Sequence, residues 1–125
     1  MLVYKDSDIF TVRELYFNTL LIIILTIKGI QEMYEKINEM IAISIDTINE
    51  DLNLNLNKSD DTEIIGGDSP LDSLGVLSFV MELEKNIEEI LGLEISLVND
   101  DFLSGDSPLK NIKELKVHLN KILKK

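Results

Sequence analysis

The sequence predicts an all-α protein, on three observations. Apolar residues recur at helical spacing in three separate stretches of the 125-residue chain. No stretch holds the two-residue period of a strand. LNLNL at 52–56 alternates, but Asn is depleted in strands, so the segment reads as loop. Pro is 2 and Gly 6, too few for a turn-rich β sandwich.

The first helix is expected from about Tyr34 to Asp51, where Ile37, Met40, Ile41, Ser44, Ile45, Ile48 and Leu52 recur at its spacing. Residues 53–71 (NLNLNKSDDTEIIGGDSPL) break the period. Asn, Asp, Ser, Gly-Gly and Pro make them a long loop, with Ile64 and Ile65 as its anchors in the core. A loop this long in a small domain points to function. A second helix is expected to start at Asp72-Ser73 and run to about Leu91, stopped by Gly92. Leu97–Leu103 reads as one or two helical turns. Ser107-Pro108 then reads as an N-cap followed by Pro at the first helical position. The last helix should span about Leu109 to Leu123, with Ile112, Leu115, Leu119 and Ile122 inward and the lysines outward. GGDSP (66–70) and SGDSP (104–108) echo one another only as turns preceding helices.

Residues 1–32 stand apart as an N-terminal extension, with 33–125 as the folded domain. LYFNTLLIIILTI (15–27) carries no charge, but thirteen helical residues cover only about 20 Å, short of the roughly 30 Å hydrocarbon layer, so no integral membrane span is expected. A secretory signal fits poorly too. Lys5 and Arg13 are mixed with Asp6, Asp8 and Glu14, and no small-residue cleavage site follows. Three readings stay open. The extension is upstream of the true start, or an added amphipathic helix, or a weak membrane-surface segment. The first rests on Lys28-Gly29. In an AT-rich gene, suggested by the Ile, Asn and Lys usage, this dipeptide is readily written as a purine-rich ribosome-binding sequence just upstream of Met33.

Composition removes most enzyme classes. There is no Cys, so there is no disulfide scaffold, thiolate metal site or cysteine nucleophile. The single His, His118, excludes a multi-His metal centre; it falls on the polar side or edge of the last helix and is expected to face solvent without a ligand role. DDTEIIGGD has acids but not the ligand spacing of a calcium loop. Lys+Arg is 12 and Asp+Glu 23, a net charge of −11, which disfavours nucleic acid and favours basic protein surfaces. Residues 46–106 concentrate the imbalance, with sixteen acids against only Lys58 and Lys85; residues 107–125 are basic.

The most informative stretch is Asp72-Ser73-Leu74, which opens the acidic helix GVLSFVMELEKNIEEILG. A serine at a helix start is ordinarily a cap. Here a long loop delivers it to the head of a helix about five turns long, with no His or Lys close in sequence to activate it as a nucleophile. Such a serine suits modification by another enzyme. A phosphodiester placed there would be stabilised by the free N–H groups and the positive end of the helix dipole.

These residues resemble the acyl carrier protein family. The match runs through GGDSPLDSLGVLSFVMELEKNIEEILGLEI, VNDDFL and SPLKNIKEL, and covers 33–125; Asp72-Ser73-Leu74 with Val80-Met81, Leu83 and Glu84 is its most specific part. The resemblance implies a four-helix bundle with a short third helix and a long loop between helices one and two. It implies a non-catalytic carrier. Ser73 would hold 4'-phosphopantetheine, attached from coenzyme A by a magnesium-using phosphopantetheinyl transferase, and the arm's thiol would hold an acyl group as a thioester. Asp72 and Leu74 flank that attachment point. Asp68-Ser69 is a competing string, but Pro70 follows it where the family has Leu, and the helical period begins at Ser73. Gly75 and Ser78 stand where fatty-acid carriers usually have acids, and Lys85 replaces another. These departures weaken the link to a fatty-acid synthase. LDSLG and NDDFLSGDSPLK look more like free-standing carriers of surface-polysaccharide or specialised-metabolite clusters.

On the second helix, at about 100° per residue, Val76, Phe79, Val80, Leu83, Ile87, Ile90 and Leu91 form the core side, whereas Leu74, Leu77 and Met81 share another face. With Glu84 and Glu88 on its rim, that face is expected to dock basic acyl-loading, aminoacyl-loading and acyl-transfer enzymes. Its rival role is to meet the long loop or the extension. An aminoacyl or peptidyl carrier of the same fold is an alternative, and an unmodified helical adaptor in which Ser73 is merely a cap is a further one. A cytoplasmic monomer is expected.

Overall fold

A computed structural model describes residues 2–98 and 107–123. The described residues form three helices: α1 (Leu2–Leu52), α2 (Ser73–Leu91) and α3 (Ile112–Leu123). They contain no strand, only an isolated antiparallel bridge between Glu63 and Asn111. The all-α class is therefore borne out. Of the short helix expected at 97–103, Leu97 and Val98 are not helical, and residues 99–103 lie outside the described residues.

The chain divides into two compact units, Met1–Met33 and Tyr34–Lys125. In the first, the described side chains from Val12 to Gln31 are exposed. The expected start of the first helix at Tyr34 is corrected to Leu2. The physical reason is that residues 2–33 hold no Pro and only Gly29, so nothing in that stretch breaks a helix rich in Leu and Ile.

The second unit holds the core. Ile37, Met40, Ile41, Ile45 and Ile48 of α1 are buried, as are Val76, Phe79, Val80, Leu83 and Ile87 of α2 and Ile112, Leu115, Leu119 and Leu123 of α3. Burying an aliphatic side chain fully contributes about 1.5–3 kcal/mol before chain entropy is counted. Leu52, expected to continue the α1 stripe, is exposed, and Ile90, Leu91 and Ile122 are half-buried.

The long loop is tied down rather than free. Asn53, at φ 54°, ends α1 in the left-handed region. Asn49 brackets Leu56 with two bonds: its Nδ2 donates to the Leu56 carbonyl at 3.1 Å, and the Leu56 N–H donates to its Oδ1 at 2.8 Å. Leu56 and Ile64 are buried anchors, whereas Ile65 is half-buried and not the second core anchor expected. The N–H groups of Ile64 and Ile65 donate to the carbonyls of Lys110 and Leu109. In return, the loop carbonyls of Thr62 and Asp60 accept from Ile112 and Lys113 at 3.1 and 3.0 Å.

These loop carbonyls move the start of the last helix. Asn111 is its cap, with Oδ1 accepting from the Glu114 N–H at 2.8 Å. Ser107 instead closes a tight turn: its hydroxyl accepts from the Leu109 N–H at 3.1 Å, and its carbonyl accepts from Lys110. The expected Ser107-Pro108 helix start is thus corrected to Asn111-Ile112, because Thr62 and Asp60, distant in sequence, satisfy the first helical N–H groups only there.

Candidate functional site

The site is the junction between the long loop and α2. Asp72 is extended, at φ −82° and ψ −177°, and its carboxylate accepts from the Gly75 N–H at 2.7 Å. Its carbonyl takes the first helical bond, from Val76 at 2.9 Å. This is an N-cap, worth about 1 kcal/mol. It leaves the N–H groups of the first two helical residues, Ser73 and Leu74, without intrahelical partners at the positive end of α2. The Ser73 side chain is exposed.

Ser69 is placed differently. Its hydroxyl donates to the Ile64 carbonyl at 2.7 Å and accepts from the Leu71 N–H at 3.2 Å. It is half-buried and shapes the turn that leads into α2. Asp68 is exposed, and its N–H donates to Glu63 Oε2 at 3.1 Å. Between Asp68-Ser69 and Asp72-Ser73, only the second offers a serine unengaged by the loop.

Gly75 has a role that composition did not reveal. It is buried, and a Cβ there would sit 3.0 Å from Leu71 Cδ2 and 3.2 Å from the capping Asp72 Oδ1. The missing side chain lets the loop close on the first turn of α2. Leu52, Leu54, Pro70, Leu71, Asp72 and Gly75 line a shallow cavity of about 230 Å³ there, beside Ser73 in sequence. The signal was available: Gly75 is three residues after Asp72, where the capped N–H must fall.

The face formed by Leu74, Leu77 and Met81 is exposed, at 74%, 37% and 60%. Ser78, Lys85 and Glu88 are exposed as well. Glu84 is only half-buried rim. Its Oε1 accepts from the Leu97 N–H at 2.7 Å, so this carboxylate, expected as part of a docking surface, also holds the segment after α2 against the helix. With Met81, Lys85, Glu88, Glu94 and Ile95 it borders a second shallow cavity of about 370 Å³.

His118 is half-buried rather than fully solvent-facing. Burial, reinforced by the Lys121 charge, holds its pKa below the ordinary 6.5. Among the described residues, no cluster of three or more His, Cys, Asp or Glu could hold a metal ion.

In comparisons with known proteins, the chain matches no family model, no curated protein and no solved structure.

Proposed function

We propose that the unit Tyr34–Lys125 is a carrier of the acyl carrier protein type, with Ser73 as the attachment point for 4'-phosphopantetheine. The observation that carries this reading is the contrast between the two serines: Ser69 is consumed by the loop, whereas Ser73 is exposed at the head of a capped helix. The free N–H groups of Ser73 and Leu74 and the helix dipole favour an anionic phosphodiester on that hydroxyl. Asp72 caps the first turn, and Gly75, with no side chain, lets the loop close against it. Once attached, the arm supplies the thiol on which an acyl group is held, a thiol this chain lacks.

The four-helix form, with a short helix between α2 and α3, belongs to the same proposal. The protein itself performs no chemistry on its cargo. Leu74, Leu77 and Met81 dock the phosphopantetheinyl transferase and the loading and transfer enzymes. The exposed acid Glu88 steers basic surfaces towards them. The loading enzyme decides between an acyl and an aminoacyl cargo, and coenzyme A places the modification in the cytoplasm.

The test is the intact mass of the full chain after incubation with coenzyme A, magnesium and a broad-specificity phosphopantetheinyl transferase. The carrier reading expects one added phosphopantetheine in the native chain and none in Ser73→Ala. A native chain whose mass does not change would be an unmodified adaptor.

A further inference from the structure

The carrier reading leaves the first unit unexplained. Leu20, Leu21, Ile22, Ile23, Ile24 and Leu25 are six consecutive exposed apolar residues in an unbroken helix. At about 100° per residue, six positions pass round the whole circumference. A helix lying flat on a membrane, or packed on one protein partner, needs an apolar stripe backed by a polar face. Here there is no polar back, and hydrocarbon is the surrounding that covers every side at once.

Two hydroxyls in the stretch are satisfied within the helix itself. Thr19 Oγ1 donates to the Leu15 carbonyl at 2.7 Å, and Thr26 Oγ1 donates to the Ile22 carbonyl at 2.8 Å. Internal satisfaction of this kind is what a segment without access to water requires. The length also fits. The thirteen charge-free residues alone are too short, but the helix continues past both ends. Val12–Ile30 covers about 28 Å, close to the roughly 30 Å hydrocarbon layer. The three charged residues of the span lie in its end turns, Arg13 and Glu14 in the first and Lys28 in the last, and the stems of Arg13 and Lys28 are long enough to carry their charges outward. Tyr16 and Phe17 lie one helical turn inside Arg13, in the position of interfacial aromatics. By length and composition, α1 is the one helix among the described residues able to cross a membrane.

We propose that Val12–Ile30 spans a phospholipid bilayer and anchors the chain to it. This inference does not depend on what Ser73 carries.

The test uses the full chain, purified in detergent and reconstituted into vesicles of phosphatidylcholine and phosphatidylglycerol. The proposal expects the protein to float with the vesicles through a density gradient and to remain with them after an alkaline carbonate wash. The full-length double variant Ile22→Lys/Ile24→Lys should lose retention by about tenfold or more. Val117→Lys, which changes an exposed apolar residue of the other unit, should leave retention unchanged. Release by carbonate would show a helix lying on the surface and overturn the proposal. A protein that stays at the bottom of the gradient as an oligomer would show that a second copy covers the helix, and would overturn it equally. So would full retention of the double variant.

Discussion

The side-chain amide of Asn86 donates to the Ser44 hydroxyl at 2.9 Å, across 42 residues of sequence. The Ser44 hydroxyl donates in turn to the Met40 carbonyl at 2.7 Å. Both side chains are buried, so this short relay fixes how α2 sits against the C-terminal half of α1. Ser44→Ala strands the Asn86 amide and should cost about 1–3 kcal/mol in urea unfolding. Asn86→Leu should cost less, since Ser44 keeps its bond to Met40. The double variant should be more stable than the sum of the two losses predicts. Simple additivity would show that the two residues are not coupled.

The two serines of the candidate site should separate stability from modification. Ser69→Ala removes a donor to Ile64 and an acceptor from Leu71, and should lower stability by about 1–2 kcal/mol. Ser73→Ala changes an exposed residue and should stay within about 0.5 kcal/mol. Urea midpoints check both. Asp72→Ala should lose about 1 kcal/mol of capping, whereas Asp72→Asn, itself a good cap, should lose little.

Met81 is exposed on the same helix that buries Leu83. Met81→Glu should slow transfer by the cognate enzymes about tenfold, the loss of roughly one buried apolar contact. Its circular dichroism and unfolding should stay native. Leu83→Glu places a charge in the core and should unfold the unit. An unfolded Met81→Glu would put Met81 in the core and remove it from the docking face. Glu88→Gln should lower the association rate and flatten its salt dependence.

Two groups link stability to pH. The hydrogen bond from Lys116 at 2.7 Å and the Lys116 charge lower the Asp60 pKa below 3.8; desolvation opposes them, and the Lys113 charge adds the least. Above 3.8 its stabilising contribution is complete, and it is lost as pH falls through the folded value. His118 has the same sign for a different reason. Burial depresses its folded pKa below 6.5, so the unfolded chain takes up the proton first. Stability should therefore fall as pH drops below about 7, and level off once the folded His118 is protonated as well. His118→Gln should flatten the slope near pH 6, and Asp60→Asn the slope below pH 4. Thermal unfolding across this range measures both.

Local signals explain what was legible in the sequence. The ends of α2 are written in Asp72 and Gly92. The carboxylate of Asp72 caps Gly75, and Gly92 turns left-handed at φ 69° while its N–H reaches the Glu88 carbonyl. The exposed Leu74, Leu77 and Met81 followed from the helix wheel alone. The misplaced start of α3 has a non-local cause: Ser107-Pro108 is a sound local cap, but carbonyls of Asp60 and Thr62 arrive from the loop and set the helix start at Ile112. Asn86 and Glu84 look like ordinary surface polar residues until Ser44 and the Leu97 N–H are brought to them. A helix in residues 1–32 stayed one of three open readings, because Leu and Ile continue a helix without a partner face to reveal it.

The most direct measurement is the site of the added mass. The full chain, incubated with coenzyme A, magnesium and a broad-specificity transferase, is digested and its peptides are fragmented by tandem mass spectrometry. The carrier account predicts phosphopantetheine on Ser73 alone, with Ser69 unmodified in the same peptide. Phosphopantetheine on Ser69, or a chain that gains no mass at all, would contradict it.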